Sequence, residues 1–83
     1  MSIEIFVEKK LEEEFDLEML EIKAETTSPN LEISFFIDGN HLATTMTDDK
    51  GIAITGITYK KDKIYLFEVE CCGERESLEY EIK

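Results

Sequence analysis

The sequence predicts an all-β fold of short antiparallel strands, and three observations carry that prediction. Between Ile33 and Ala53 the chain reads ISFFIDGNHLATTMTDDKGIA. An apolar run stops at Asp38-Gly39-Asn40, and a Thr-rich segment stops at Asp48-Asp49-Lys50-Gly51 before apolar residues return. Asp, Asn and Gly tolerate the positive φ that tight turns demand, so this stretch reads as three strands joined by two turns. Further on, Tyr65, Phe67, Val69 and Cys71 alternate with Leu66, Glu68 and Glu70. Leu78, Tyr80 and Ile82 alternate with Glu79, Glu81 and Lys83 in the same way, the period of a half-buried strand. Finally, 83 residues are enough for one core and too few for two, so residues 1–83 are read as a single domain with no room for a deep internal cavity.

Taken in order, Ile3, Ile5 and Val7 alternate with Glu4, Phe6 and Glu8 and predict a first strand. Judged on local sequence alone, residues 9–25 favour helix over strand. They are rich in helix formers, and Leu11, Phe15, Met19 and Ile22 fall on one helical face, which makes an α+β fold with a helix at about 9–25 the alternative. Read as a strand, the segment splits between the parity of Phe15, Leu17 and Met19 and that of Leu20, Ile22 and Ala24, and a bulge near Met19–Leu20 would reconcile them. Thr26-Thr27-Ser28-Pro29-Asn30 is a loop on either reading, because Pro29 stops what precedes it. Leu31, Ile33, Phe35 and Ile37 then share one face of a strand, and Leu42, Thr44 and Met46 one side of the next. Ile52 and Ile54 open another strand that Gly56 punctuates. Lys60-Lys61-Asp62-Lys63 is a charged turn, and Gly73 turns the chain into its last strand.

The chain carries 20 acidic against 9 basic residues, a net charge of −11. Lys and Arg neutralising phosphates drive nucleic-acid binding, so this balance argues against nucleic acid, and equally against anionic membrane surfaces. No segment has the length and apolarity of a membrane span, and the N-terminus lacks the charged start and apolar stretch of a signal peptide. The chain is therefore expected either to be intracellular or to be a piece of a larger exported protein. The acid is concentrated in residues 1–25 and 68–83. If the first and last strands pair, Glu4, Glu8, Glu76, Glu79 and Glu81 share one strongly negative face suited to a basic protein partner, at some cost from like charges placed opposite one another.

From Phe36 to Ala53 the pattern F-x-D-G-x-x-L-A-T-T-x-T-D-x-x-G-x-A resembles the Ig-like repeat domains of bacterial and archaeal adhesins, invasin-like proteins and surface proteins. Tyr65-Leu66-Phe67-Glu68-Val69 is similar to that family's Tyr-x-Val-x-Ala strand, and Gly73 stands where the family often has a Gly before its last strand. The resemblance covers about residues 14–83. It departs from the family in the single copy of the motif and in Lys60-Lys61-Asp62-Lys63, which lacks the usual Gly. It implies an Ig-like antiparallel β-sandwich of about seven strands with residues 15–25 as its second strand, packed opposite the third-from-last. It also implies a spacer, stalk or adhesive role without enzymatic activity. On that basis strand is preferred over helix at 15–25.

Few residues invite chemistry. Cys71 should point inward and Cys72 outward. An antibody-type disulfide between the second and sixth strands is impossible with no cysteine in the second, and a vicinal disulfide requires strained geometry. Two thiols and one distant histidine do not complete a zinc site, so the pair reads first as inert thiols, with redox or intermolecular chemistry as the lesser alternative. His41 lacks a nucleophile at triad spacing and reads as a turn residue. Asp38, Asp48 and Asp49 offer calcium-type oxygens but lack the D-x-D-x-D-G pattern, and turn chemistry already accounts for them. Tyr65, two residues before Phe67, is placed to form a tyrosine corner, a hydroxyl-to-backbone hydrogen bond that serves stability. Phe36 points away from the Phe35 face and is expected to be an exposed aromatic at a partner or interdomain contact. No cofactor and no metal is expected. The functional reading is a non-enzymatic structural or interaction module, such as a spacer or adhesive Ig-like domain of a surface protein. The alternative is a small stand-alone acidic adaptor that binds a basic protein.

Overall fold

A computed structural model describes residues 3–12, 17–60 and 62–82. Seven strands run in chain order: β1 (Glu4–Glu12), β2 (Leu17–Glu25), β3 (Glu32–Ile37), β4 (Asn40–Met46), β5 (Ile52–Thr58), β6 (Lys63–Cys71) and β7 (Glu74–Ile82). They form two antiparallel sheets, β1-β2-β5 and β4-β3-β6-β7, and there is no helix among the described residues. The chain crosses between sheets at β2–β3, β4–β5 and β5–β6, an Ig-like sandwich whose fourth strand belongs to the larger sheet.

The helix considered for 9–25 is corrected by this arrangement. β1 continues to Glu12 and β2 begins at Leu17, hydrogen-bonded in unbroken register to β1 on one side and to β5 on the other. The bulge expected near Met19–Leu20 is absent for the same reason. A central strand buries one parity only, and Leu20, Ile22 and Ala24 are buried to within 1% of complete, while Met19 belongs to the outer face. Helix propensity in this segment is worth tenths of a kcal/mol per residue, whereas burying each large apolar side chain contributes about 1.5–3 kcal/mol, so the sheet wins. Phe15, expected on this strand, and Lys61 of the charged turn lie outside the described residues.

A register shift does occur elsewhere, between β3 and β4. Phe35 faces Ala43 but Phe36 faces His41, so Leu42 is the extra residue of a bulge. Leu42 consequently packs against the core, and the simple alternation of Leu42, Thr44 and Met46 fails: Thr44 and Met46 are exposed. In β5 the inward residues are Ala53, Thr55 and Ile57, leaving Ile54 half-exposed on the outer face.

The core is a single cluster in which Leu20, Ile22 and Ala24 of β2 meet Ile33 and Phe35 of β3 and Tyr65, Phe67, Val69 and Cys71 of β6, closed by Ile3, Ala53 and Ile82. Tyr65 makes the expected corner. Its hydroxyl accepts a hydrogen bond from the Lys60 N–H at 3.0 Å, while its ring stacks 5.8 Å from that of Phe67.

The segment carrying the D-G…T-D-x-x-G pattern acts as a latch. Buried Thr47 accepts from the Leu31 N–H at 2.8 Å and donates to the Ser28 carbonyl at 2.9 Å, tying the β2–β3 loop to the end of β4. The Thr26 N–H and hydroxyl both reach the Gly51 carbonyl, at 2.8 and 3.0 Å. Gly51 has φ +81°, and a Cβ there would lie 2.5 Å from the Thr26 carbonyl oxygen, so both the turn and the close approach demand glycine.

Candidate functional site

β1 and β7 do not pair, which alters the predicted acidic face. β1 bonds to β2, β7 bonds to β6, and the two strands only adjoin along one open side of the sandwich. The five acids are accordingly divided. Glu4 and Glu8 stand on the outer face of the three-stranded sheet, directly opposite Glu25 and Glu21. Glu79 and Glu81 stand on the outer face of the four-stranded sheet, opposite Leu66 and Ile64. Glu76 has the parity of the core-facing residues of β7 but lies beyond the core edge, opposite Val69 and exposed. The geometry assembles no common face from all five.

What it does assemble is a patch on the outer face of β3, β6 and β7. Phe36 points outward from β3, as its parity requires, yet it is half-covered. The Arg75 guanidinium of β7 lies 4.6 Å above its ring, and the His41 ring meets it edge-on with centroids 5.6 Å apart. Arg75 is held there by Glu68 at 3.3 Å and Glu70 at 2.9 Å, both projecting outward from β6. His41 Nε2 is 2.8 Å from the Thr44 hydroxyl, which is itself 3.2 Å from that of Ser34. Next to this polar cluster, Ile64 is 59% exposed and Leu66 36%, with Glu79 and Glu81 beside them. The result is a short apolar strip with an acidic margin and a cation clamped at one end.

The three-stranded sheet presents a different outer face. Phe6 is 42% exposed beneath the Lys23 ammonium, 5.2 Å from its ring, and Lys10 pairs with Glu21 at 3.2 Å. Gly56 leaves a depression that Met19, Ile54 and the Lys10–Glu21 pair surround, an open groove of about 320 Å³. Tyr59 donates to a Glu18 carboxylate oxygen at 2.8 Å, and that bond with the carboxylate beside it raises the phenol above its ordinary range.

The aspartates are turn residues with defined partners. Asp38 accepts from the Leu66 N–H at 2.9 Å and pairs with Lys63 at 3.3 Å; the backbone hydrogen bond is the main reason its carboxyl sits below the usual range. Asp48 accepts from the Ile52 and Lys50 N–H groups at 3.0 and 2.8 Å, with the same effect. The two stand at opposite ends of β4, separated by a seven-residue strand that spans roughly 23 Å, so they do not converge on one cation.

Phe36 was legible in the sequence from its parity. Arg75, Glu68 and His41 were not, because only the β3–β4, β3–β6 and β6–β7 registers bring them to Phe36. No family model matches the chain, and no curated protein or solved structure matches it.

Proposed function

We propose that the chain is a non-enzymatic Ig-like interaction module, of the kind that serves as a spacer or adhesive domain in a surface protein. It engages a partner through the outer face of its four-stranded sheet. The observation that carries this reading is the strip of Phe36, Ile64 and Leu66 bordered by Glu79 and Glu81. Exposed branched apolar side chains on a sheet contribute to binding only when a partner covers them. Charge selects the partner: at net −11, the complementary surface is basic, and attraction accelerates its approach. The conformation is already fixed by the two sheets, so docking needs little reordering.

The acidic adaptor is the second reading, supported by the same charge. The two differ in context. Further copies of the F-x-D-G…T-D-x-x-G pattern in a parent polypeptide support the repeat module, and an isolated copy supports the adaptor. Binding itself is tested by titrating the protein with a synthetic peptide that alternates lysine and valine. Affinity should fall at high salt and be lost in Ile64→Lys and Leu66→Lys, while Ile54→Lys on the other sheet leaves it intact. Equal affinity in all three variants, or no salt dependence, contradicts the reading.

A further inference from the structure

The β6–β7 hairpin closes through Cys72 and Gly73, both at positive φ (+56° and +82°), with Cys71 paired to Glu74 on either side. Among the described residues, four non-glycine residues have positive φ: Asn30, Asp38, Asp62 and Cys72. The first three are the residue types that adopt this conformation most readily, because a short polar side chain bonds locally to the backbone. Cysteine has no such compensation, so turn chemistry does not account for Cys72. Its side chain instead meets that of Cys71, with the two sulfurs 3.0 Å apart, closer than even non-bonded carbon atoms settle at about 3.5–4.0 Å. One sulfur is buried at the end of the core strand, and the other is open to solvent.

We propose that Cys71 and Cys72 form a reversible dithiol–disulfide site, oxidised by small-molecule disulfides such as oxidised glutathione. Cys72 is the entry point, since Cys71 is buried and its thiol is pushed up to about 11, chiefly by that burial and then by its bond to Cys72. The Cys72 thiolate attacks one sulfur of the glutathione disulfide, forming a mixed disulfide and releasing one glutathione. Cys71, deprotonated as it attacks, displaces the second glutathione from Cys72 and closes the S–S bond. Two protein thiols are oxidised, one disulfide is reduced to two thiols, and the two protons leave with the two glutathiones. Adjacent Cα atoms stand about 3.8 Å apart, below the roughly 4.4–6.8 Å of ordinary disulfides, so the closed ring is strained and easily reopened. That strain suits a switch and not a staple. Zinc fits the pair poorly, because two thiolates bonded at about 2.3 Å in a tetrahedral site stand about 3.8 Å apart.

The test is intact-mass measurement of the folded full chain after incubation in glutathione buffers of rising oxidised fraction, with free thiols alkylated at the end. The wild type should yield a monomer lighter by two hydrogens that alkylates at neither cysteine and reverts on adding reduced glutathione. Cys71→Ser should stop at a stable glutathione adduct on Cys72, and Cys72→Asn, which suits the turn and keeps the fold, should not react. A wild type that accumulates the same adduct as Cys71→Ser, forms only disulfide-linked dimers, or stays fully reduced overturns the proposal. So does ring closure as ready in denaturant as in the folded state, since the hairpin would then contribute nothing.

Discussion

The β3–β4 and β6–β7 hairpins close through turns of nearly the same backbone, Asp38-Gly39 at φ +48° and +84° and Cys72-Gly73 at +56° and +82°. Their side chains do opposite things. Asp38 turns back on the sheet, takes the Leu66 N–H and the Lys63 ammonium, and so extends the β3–β6 contact past the end of β3. The Cys72 side chain instead meets the neighbouring thiol of Cys71. The difference shows that backbone geometry constrains a turn without dictating its residue, and a residue that does not help the turn is where another role is to be sought.

The β4–β5 turn sharpens the comparison by adding crowding to the same φ requirement. Gly39 and Gly73 have open space where a Cβ would sit, whereas Gly51 is pressed on the Thr26 carbonyl. Gly51→Ala should therefore cost the most, about 3 kcal/mol from combined strain and clash. In a domain of this size that is a Tm drop of roughly 12–24 °C by calorimetry. Gly39→Ala and Gly73→Ala should each cost about 1–2 kcal/mol, for the backbone alone. Equal losses at all three positions would remove the distinction.

Next in size is Thr47→Val, which keeps the shape but leaves the Leu31 N–H without its partner and removes one of the two hydroxyls that donate to the Ser28 carbonyl. A loss of about 1–3 kcal/mol in urea unfolding is expected. The hairpin turns themselves should respond with opposite signs. Asp38→Ala should destabilise by about 1 kcal/mol, discounted for the exposure of the Lys63 pair. Cys72→Asn should stabilise by a few tenths, because asparagine accepts positive φ more readily.

Smallest is the pH dependence. Asp38 and Asp48 have carboxyls held below their ordinary values by backbone N–H donors, so each contributes stability above the unfolded-state value. That contribution is lost as pH falls through the lower folded-state value. Unfolding followed from neutral pH into the acid range should show stability declining below about pH 4, and Asp38→Asn should make the decline shallower.

The strands with clean alternation, β3, β6 and β7, were legible residue by residue, and so was the inward Tyr65 with its corner hydrogen bond. β2 was obscured because glutamate, leucine and lysine favour helix locally, and its burial is decided by β1 and β5 on either side. The β3–β4 bulge left no mark in the sequence, since Leu42 suits a bulge and a regular strand equally well. The expected acidic face failed for a topological reason: two terminal strands with matching composition were assigned to different sheets. Phe36 was found from parity alone, but the Arg75–Glu68–Glu70 cluster covering it depends on pairings between strands that no local pattern encodes.

The interaction face is tested most directly by mapping amide chemical shifts while the lysine–valine peptide is titrated in at low salt. Shifts confined to β3, β6 and β7, centred on Phe36, Ile64, Leu66, Glu79 and Glu81 and abolished by Leu66→Lys, are the predicted result. Shifts spread over both sheets, or centred on the Gly56 groove of the three-stranded sheet, would contradict it.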